Sequence, residues 1–356
     1  MSSGWTRRLA LISELARLPH SMRGGPGYHG PINDHFDGAR FFNPGAGAGR
    51  SFGDFLHWQR TRRATPWPRT RALPPQTPVI APLGADELRL TFINHVTFLI
   101  QLPGLTVLSD PVFSERASPL RWAGPRRVHA PGVALDQLPG IDLVFVSHNH
   151  YDHMDLAALK AIANNHAPLF VTGLGNAAFL RQQRISPVVE LDWWEQTSFR
   201  GAQLIFTPAQ HWSSRGPGGK NHTLWGGLWL ATPQHSIFFA GDTGYAPWFA
   251  EIRRRYGSPK VALLPIGAYE PRWFMCNQHM NPDDAVRAHL DLAPELSVAM
   301  HFGCFRLTDE GIDEPVRALE RARVAHGVPA EAFRVPIPGE TIQMWAAEPA
   351  IALPGA

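Results

Sequence analysis

Cysteine and lysine are scarce in this chain of 356 residues, with two of the first and three of the second. Cys276 and Cys304 are too few for a disulfide framework and are not spaced as a metal-binding pair. Whether they bond to each other is left open, and the expectation is a reduced, intracellular protein. Charged residues make up only 18%, which argues against a disordered or coiled-coil chain. No apolar run reaches the roughly 18 residues that a spanning helix requires. The start, Arg7-Arg8 and then an apolar run broken by Glu14 and Arg17, lacks a signal-peptide core and cleavage site. An amphipathic helix over Leu9–Leu18 is the alternative there.

Hydrophobic residues, at 44%, are enough for a sizeable core. The net charge of +3 hides an asymmetry: residues 1–72 hold 11 Arg against 4 acidic residues, leaving the remainder at −4. Such a basic stretch suits an anionic membrane surface or a nucleic acid, or is simply a solvated arm. Residues 1–86 are rich in Arg, Pro and Gly. Their aromatic residues Phe41, Phe42, Phe52, Phe55 and Trp58 predict an extension that wraps the main domain rather than a free linker. The main domain is expected over 87–345, with a tail at 346–356.

From Leu88 the texture changes to short apolar runs separated by turns and helical segments. Strands are expected from Leu88–Ile93 through Leu143–Ser147, Gln203–Thr207, Leu224–Ala231 and Ser236–Ala240 to Ser297–His301. Helices are expected at Leu156–Asn164, Gly175–Gln183, Ala246–Arg255, Pro282–Asp291 and Glu314–Ala325. This order predicts a layered α/β domain with two similar halves.

The run Ser147-His148-Asn149-His150-Tyr151-Asp152-His153 places four metal-binding side chains within six residues, just after a buried strand. His148 and His150, two apart, face the same way on extended backbone, and Asp152 and His153 enter the turn that follows. Imidazole with carboxylate suits zinc or a similar transition metal. Three more candidates, His211, Asp242 and His301, each follow a predicted strand, where sheets present functional groups. Together they make two ligand clusters sharing one aspartate. Asp110, at the end of another strand, either orients a ligating histidine or is a turn residue before Pro111.

This motif resembles the metallo-β-lactamase superfamily. The blocks 108–119, 147–155, 190–195, 238–245 and 266–275, with Gln278-His279, narrow it to the N-acylphosphatidylethanolamine-hydrolysing phospholipases D. The similarity spans about residues 88–340. It implies a four-layer αβ/βα sandwich with two Zn(2+), one on His148, His150 and His211, the other on Asp152, His153 and His301. Asp242 would bridge them, and Asp152 and Asp242 would be catalytic. It also implies that Tyr151, Gln278 and His279 contact substrate. The mammalian members carry lysine where this chain has Ser214, so their bile-acid regulation is not carried over.

The expected activity is therefore a dinuclear zinc phosphodiesterase of phospholipase D type, acting on a phospholipid or other phosphodiester. A small-molecule phosphodiesterase or lactonase, and a metallo-nuclease, remain as alternatives. No obligate nucleic acid is expected, since the acidic main domain has no basic stripe. A cytoplasmic protein is expected, with peripheral contact on the inner membrane surface through the basic arm and a homodimer both left open. Among the tryptophans, Trp193, Trp194, Trp212, Trp225, Trp229 and Trp273 either line an acyl groove or pack in the core.

Overall fold

The computed structural model describes residues 25–46, 49–79, 83–216 and 218–346. The helix considered at Leu9–Leu18 and the tail at 347–356 lie outside them. Two seven-stranded sheets carry the main domain. The first contains β1 (Glu87–Asn94), β2 (Thr97–Leu102), β3 (Leu105–Ser109), β4 (Leu143–Val146), β5 (Leu169–Gly173) and β6 (Val188–Leu191). The second contains β7 (Gln196–Phe199), β8 (Ala202–Thr207), β9 (Gly227–Ala231), β10 (Ser236–Phe239), β11 (Val261–Pro265), β12 (Leu296–Met300) and β13 (Phe333–Arg334). The last strand, β14 (Thr341–Trp345), returns to the first sheet and pairs antiparallel with β1.

The two sheets repeat one pattern. β3 to β6 run parallel and β10 to β13 run parallel, and in each sheet the remaining pairings are antiparallel. The two similar halves expected from the alternating elements are thus present as topology, although no sequence repeat announces them.

Period-two alternation explains the layering. In β4, Leu143 and Phe145 join the core between the sheets, while Val144 and Val146 face an outer cluster. That cluster also takes in Leu159 and Ile162 of a helix over Leu156–His166, and Phe179 and Leu180 of another over Ala177–Gln182. On the far side, a helix over Pro282–Leu292 packs on β11 and on its neighbours Trp248–Tyr256 and Glu314–His326. The order helix, sheet, sheet, helix is the αβ/βα sandwich. Strands with both faces buried read as continuous apolar runs, which is why they were visible in the sequence. No helix among the described residues is long and apolar enough to cross a membrane. Cys276 and Cys304 are both free thiols.

Several expectations need correction. Residues 52–61 of the arm form a helix (Phe52–Thr61), closed at its start by a reciprocal capping box between Ser51 and Asp54. β7 and β14, half exposed and polar on one face, were not foreseen. The strand expected at Leu224–Ala231 begins only at Gly227. A Cβ on Gly226 would lie 2.4 Å from the Thr207 carbonyl oxygen, so that approach requires glycine. Trp193, Trp225 and Trp229 are core residues rather than groove residues.

The arm lies against the main domain through specific bonds. Phe36 and Phe41 are fully within the central core. Trp58 Nε1 and Arg62 Nε donate to the Asp309 carboxylate at 2.8 and 2.6 Å. His35 sits between two carboxylates, with Nδ1 2.6 Å from Asp34 Oδ1 and Nε2 2.7 Å from Asp192 Oδ1. Its ring stacks on Trp193 at 4.4 Å.

Burial opposes a charge on His35, but its hydrogen bonds to the Asp192 and Asp34 carboxylates outweigh it and raise the pKa above the ordinary value. A histidine whose folded pKa is raised contributes its full stabilisation below the unfolded value, roughly 6.5, and loses it as pH rises through the folded value. Limited proteolysis within residues 25–46 is therefore expected to be slower at pH 6 than at pH 9. His35→Gln should flatten that difference. Equal cleavage of the wild-type chain at both pH values would contradict the arrangement.

Candidate metal centre

The site forms where the strands of both sheets deliver their carboxyl ends to one edge. The β1–β2 turn carries His95, and the residue after β3 is Asp110. β4 runs into Ser147 to His153, and the connections after β8, β10 and β12 carry His211, Asp242 and His301. His95, Asp110 and His301 all have positive φ, at 46°, 31° and 59°. Left-handed backbone at three non-glycine residues in one site stores about 1–3 kcal/mol each, which the surrounding packing must sustain. Gly267 is needed here, since a Cβ on it would sit 2.1 Å from the His301 carbonyl oxygen.

Seven side chains singled out in the sequence come together. The nitrogens and oxygens of His148, His150 and His211 form one group, and those of Asp152, His153 and His301 another, each within 4.8 Å of one another. Asp242 stands between them. Its Oδ2 lies 3.1 Å from His153 Nε2, 3.1 Å from His301 Nε2 and 3.7 Å from His211 Nε2.

Hydrogen bonds outside the cluster fix how the rings face. Asp110, fully buried, takes His153 Nδ1–H at 2.7 Å on Oδ2 and is itself held by the Ser147 backbone N–H and hydroxyl. Burial pushes the Asp110 carboxyl up, while His153 and Ser147 work the other way. His211 Nδ1 donates to the Gln278 carbonyl oxygen at 2.9 Å, turning Nε2 inward. The Asn43 side chain in the arm reaches the His211 carbonyl oxygen at 2.7 Å.

These contacts test whether the donor set suits a cation. His211 Nε2 and His148 Nε2 both converge on His150 Nδ1, at 3.3 and 2.8 Å. With the outer nitrogen of His211 already a donor, the inward lone pairs cannot all be satisfied by each other. His150 Nε2, Asp242 Oδ1, His279 Nδ1 and both His301 nitrogens are buried without a hydrogen bond. His301 Nε2 lies near Asp242 yet lacks hydrogen-bond geometry toward it. Burying so many unmatched polar atoms costs several kcal/mol unless a cation takes the lone pairs.

The electrostatics agree. Burial and neighbouring imidazoles push His148 well below its ordinary range, His150 to about 3 and His211 to about 4, leaving them neutral. Burial opposes ionisation of Asp242 and Asp152, but His153 and other imidazoles outweigh it and hold both carboxyls well below the usual range. Burial likewise opposes charge on His301, yet Asp242 and Asp152 raise it to about 9. A field that draws positive charge this strongly, set among neutral imidazoles, is what a divalent transition metal needs.

Sequence reasoning missed His95. Its Nε2 lies 3.1 Å from Asp152 Oδ2 and its ring is 4.2 Å from that of His301. A single histidine in a hairpin turn gives little signal, although Asn94-His95 is polar sequence at the end of an apolar strand. The other predicted contacts separate. His279 is nearly buried, with Nδ1 3.9 Å from Asp242 Oδ2, so it lies against the cluster. Gln278 contributes its backbone carbonyl, while its side chain amide turns toward Met275 Sδ. Tyr151 lines the cavity above the cluster.

That cavity holds about 850 Å³. His150, Asp152, His211, Asp242 and His279 make its floor, and Phe42, Phe52, Phe55 and Trp58 of the arm make an apolar wall. Phe52 is 67% exposed and Trp212 also lines the space. The arm's part in the site was not foreseen.

Asp110→Asn keeps the size of the side chain but loses the charge that fixes His153. It should lower metal affinity roughly 10- to 100-fold, as replacements behind a metal ligand do. Titration with a competing chelator would measure this, and an unchanged affinity would contradict the role given to Asp110.

Comparison with known proteins agrees with the geometry. A profile for the β-lactamase superfamily domain matches residues 106–302. An uncharacterized protein of Mycobacterium tuberculosis is 37% identical over 291 residues, covering 80% of this chain and 76% of that one. N-acyl-phosphatidylethanolamine-hydrolyzing phospholipase D 1 of Caenorhabditis elegans is 37% identical over 237 residues, 63% of this chain and 67% of its own. Among solved structures, an isothiocyanate hydrolase from Delia radicum gut bacteria superposes with a TM-score of 0.59 at 23% identity, over 73% of this chain and all of that one. With its sandwich fold and its histidine–aspartate cluster at the strand ends, the chain belongs to the metallo-β-lactamase superfamily and is a metal-dependent hydrolase.

Proposed function

We propose that this hydrolase is a dinuclear zinc phosphodiesterase that cleaves N-acylphosphatidylethanolamine to N-acylethanolamine and phosphatidic acid. The observation that carries the reading is the placement of two ligand groups, sharing Asp242, on the floor of a cavity with an apolar wall. The similarity to the phospholipase D of C. elegans supports the substrate class. On this reading His148, His150 and His211 hold one ion, Asp152, His153 and His301 the other, and Asp242 serves both. Zinc bound there would lower the pKa of water toward neutrality and offset charge on the phosphoryl oxygens.

The chain's own residues supply the rest. A water oxygen forms the new bond to phosphorus, the bond from phosphorus to the ethanolamine oxygen breaks, and that oxygen takes a proton. Asp152, partly open to the cavity and tied to His95, is placed to hold the attacking water. Tyr151 and His279 line the same space and would orient the phosphate. Phe42, Phe52 and Phe55 give acyl chains an apolar surface, and Arg50 and Lys220 at the same cavity suit an anionic lipid face.

The test is product analysis by mass spectrometry on vesicles containing N-acylphosphatidylethanolamine. N-acylethanolamine and phosphatidic acid are expected, and Asp152→Ala should release neither. Phe52→Ser with Phe55→Ser should lower vesicle turnover roughly tenfold or more, given about 1.5–3 kcal/mol per buried Phe. It should leave turnover of a soluble bis-aryl phosphodiester unchanged. Soluble turnover without lipid turnover would sink the lipid reading and favour a small phosphodiester, a lactone or a nucleic acid.

A further inference from the structure

Tyr151 forms part of the wall of two cavities. One is the metal pocket. The other, of about 550 Å³, is lined by Ser114, Arg116, Ser118, Arg121, Leu156 and Arg215 among others. Nothing in the hydrolytic reading uses it.

Arg215 is the unusual feature of this second cavity. It is only 4% exposed. Its Nη1 donates to the backbone oxygens of Asn149 and Met154 at 3.1 and 2.9 Å, and its Nε is buried with no partner. The guanidinium lies 4.3 Å over the Tyr151 ring and 5.5 Å over that of Phe179. Burial brings its pKa down to about 10, so it stays charged at neutral pH.

A guanidinium this buried ordinarily has a carboxylate partner. Arg215 has none within ion-pair distance among the described residues. Two acids line the cavity, and both are engaged. Asp155 accepts from Phe113 N, Ser114 N, Ser114 Oγ, Ala157 N and Ala158 N. Glu115 is exposed and pairs with Arg126. Arg116 and Arg121 add positive charge, and Leu156 and Ala157 bring the first turn of an eleven-residue helix to the same wall.

We propose that this cavity binds a phosphate-class oxyanion, seated against the Arg215 guanidinium with Arg116 and Arg121 at the rim. With Nη1 spent on the two backbone oxygens, the Nε and Nη2 edge of the planar fork matches the oxygens of such an anion in a bidentate pair, and the anion adds the direct ion pair that Asp155, acting at longer range, does not make. The site is independent of the lipid reading. Its occupant is either free inorganic phosphate or the phosphate of a lipid headgroup, which present the same chemistry to Arg215. Through Nη1, the guanidinium that holds the anion also brackets the turn from Asn149 to Met154.

Crystals of the metal-loaded protein soaked in tungstate, a heavy analogue of phosphate, should show an anomalous peak beside Arg215, apart from any peak at the metal pocket. In calorimetry with inorganic phosphate, Arg215→Gln should weaken this binding roughly tenfold, the scale of a lost charged hydrogen bond, at unchanged metal content. Because Arg215 also ties the 149–154 turn, Arg121→Ala at the exposed rim is the second variant, expected to weaken phosphate several-fold with a wild-type melting temperature. No peak beside Arg215, or equal phosphate affinity in both variants, overturns the site. Vesicles of phosphatidylcholine with phosphatidic acid identify the source. Co-sedimentation lost in Arg121→Ala and displaced by free phosphate supports the lipid headgroup. Co-sedimentation unaffected by Arg121→Ala, with free phosphate still bound, supports the inorganic anion.

Discussion

One carboxylate oxygen organises the functional edge of this protein. Asp242 Oδ2 lies within 3.9 Å of a nitrogen from each of His153, His211, His279 and His301. His153 follows a strand of the first sheet, and His211 and His301 follow strands of the second, so the sheets must be packed in one register for the contacts to exist. The apolar core between the sheets provides that register, because a one-residue slip in any strand would send its inward side chains outward. The left-handed backbone of His95, Asp110 and His301 then appears where strand ends are forced to turn toward the same point.

A buried cluster of imidazoles and carboxylates is unstable in isolation, and the fold answers with contacts from behind. Asp110, the Gln278 carbonyl and the Ser147 hydroxyl each take the outward nitrogen of one ring. His95 Nε2 stands inside the cluster, 3.1 Å from the Asp152 oxygen that also faces His153 and His301. Several buried atoms of the cluster, among them Asp242 Oδ1 and His301 Nε2, are left without a hydrogen bond, which is the condition for tight binding of a cation and a liability without one. The arm extends the logic to substrate. Asn43 holds the backbone of His211, while Phe52 and Phe55 a few residues on shape the apolar wall.

The sequence showed the fold where strands are buried on both faces, because runs such as Leu143–Val146 admit no other reading next to a His-x-His-x-Asp-His turn. It pointed to the clustered histidines and aspartates for the same reason: they lie beyond such runs. It hid what depends on tertiary context. β7, with sequence Gln-Thr-Ser-Phe, is held by pairing with β8 rather than by its own apolar pattern. The arm helix is short and carries a glycine, and only its capping residues Ser51 and Asp54 signal it. His95 is one histidine in a hairpin, and its meaning comes from an aspartate 57 positions later. Arg215 looked like part of a glycine-rich loop until its burial was known.

The most direct test of the shared carboxylate is metal content, measured by elemental analysis of protein purified with and without Asp242. About two ions per chain are expected for the wild type, as in two-metal sites generally. Asp242→Ala, which on the proposed reading removes a ligand common to both, should lower occupancy of both positions together. A wild-type content of one ion, or a variant that loses a single ion and keeps the other at full affinity, would contradict the account.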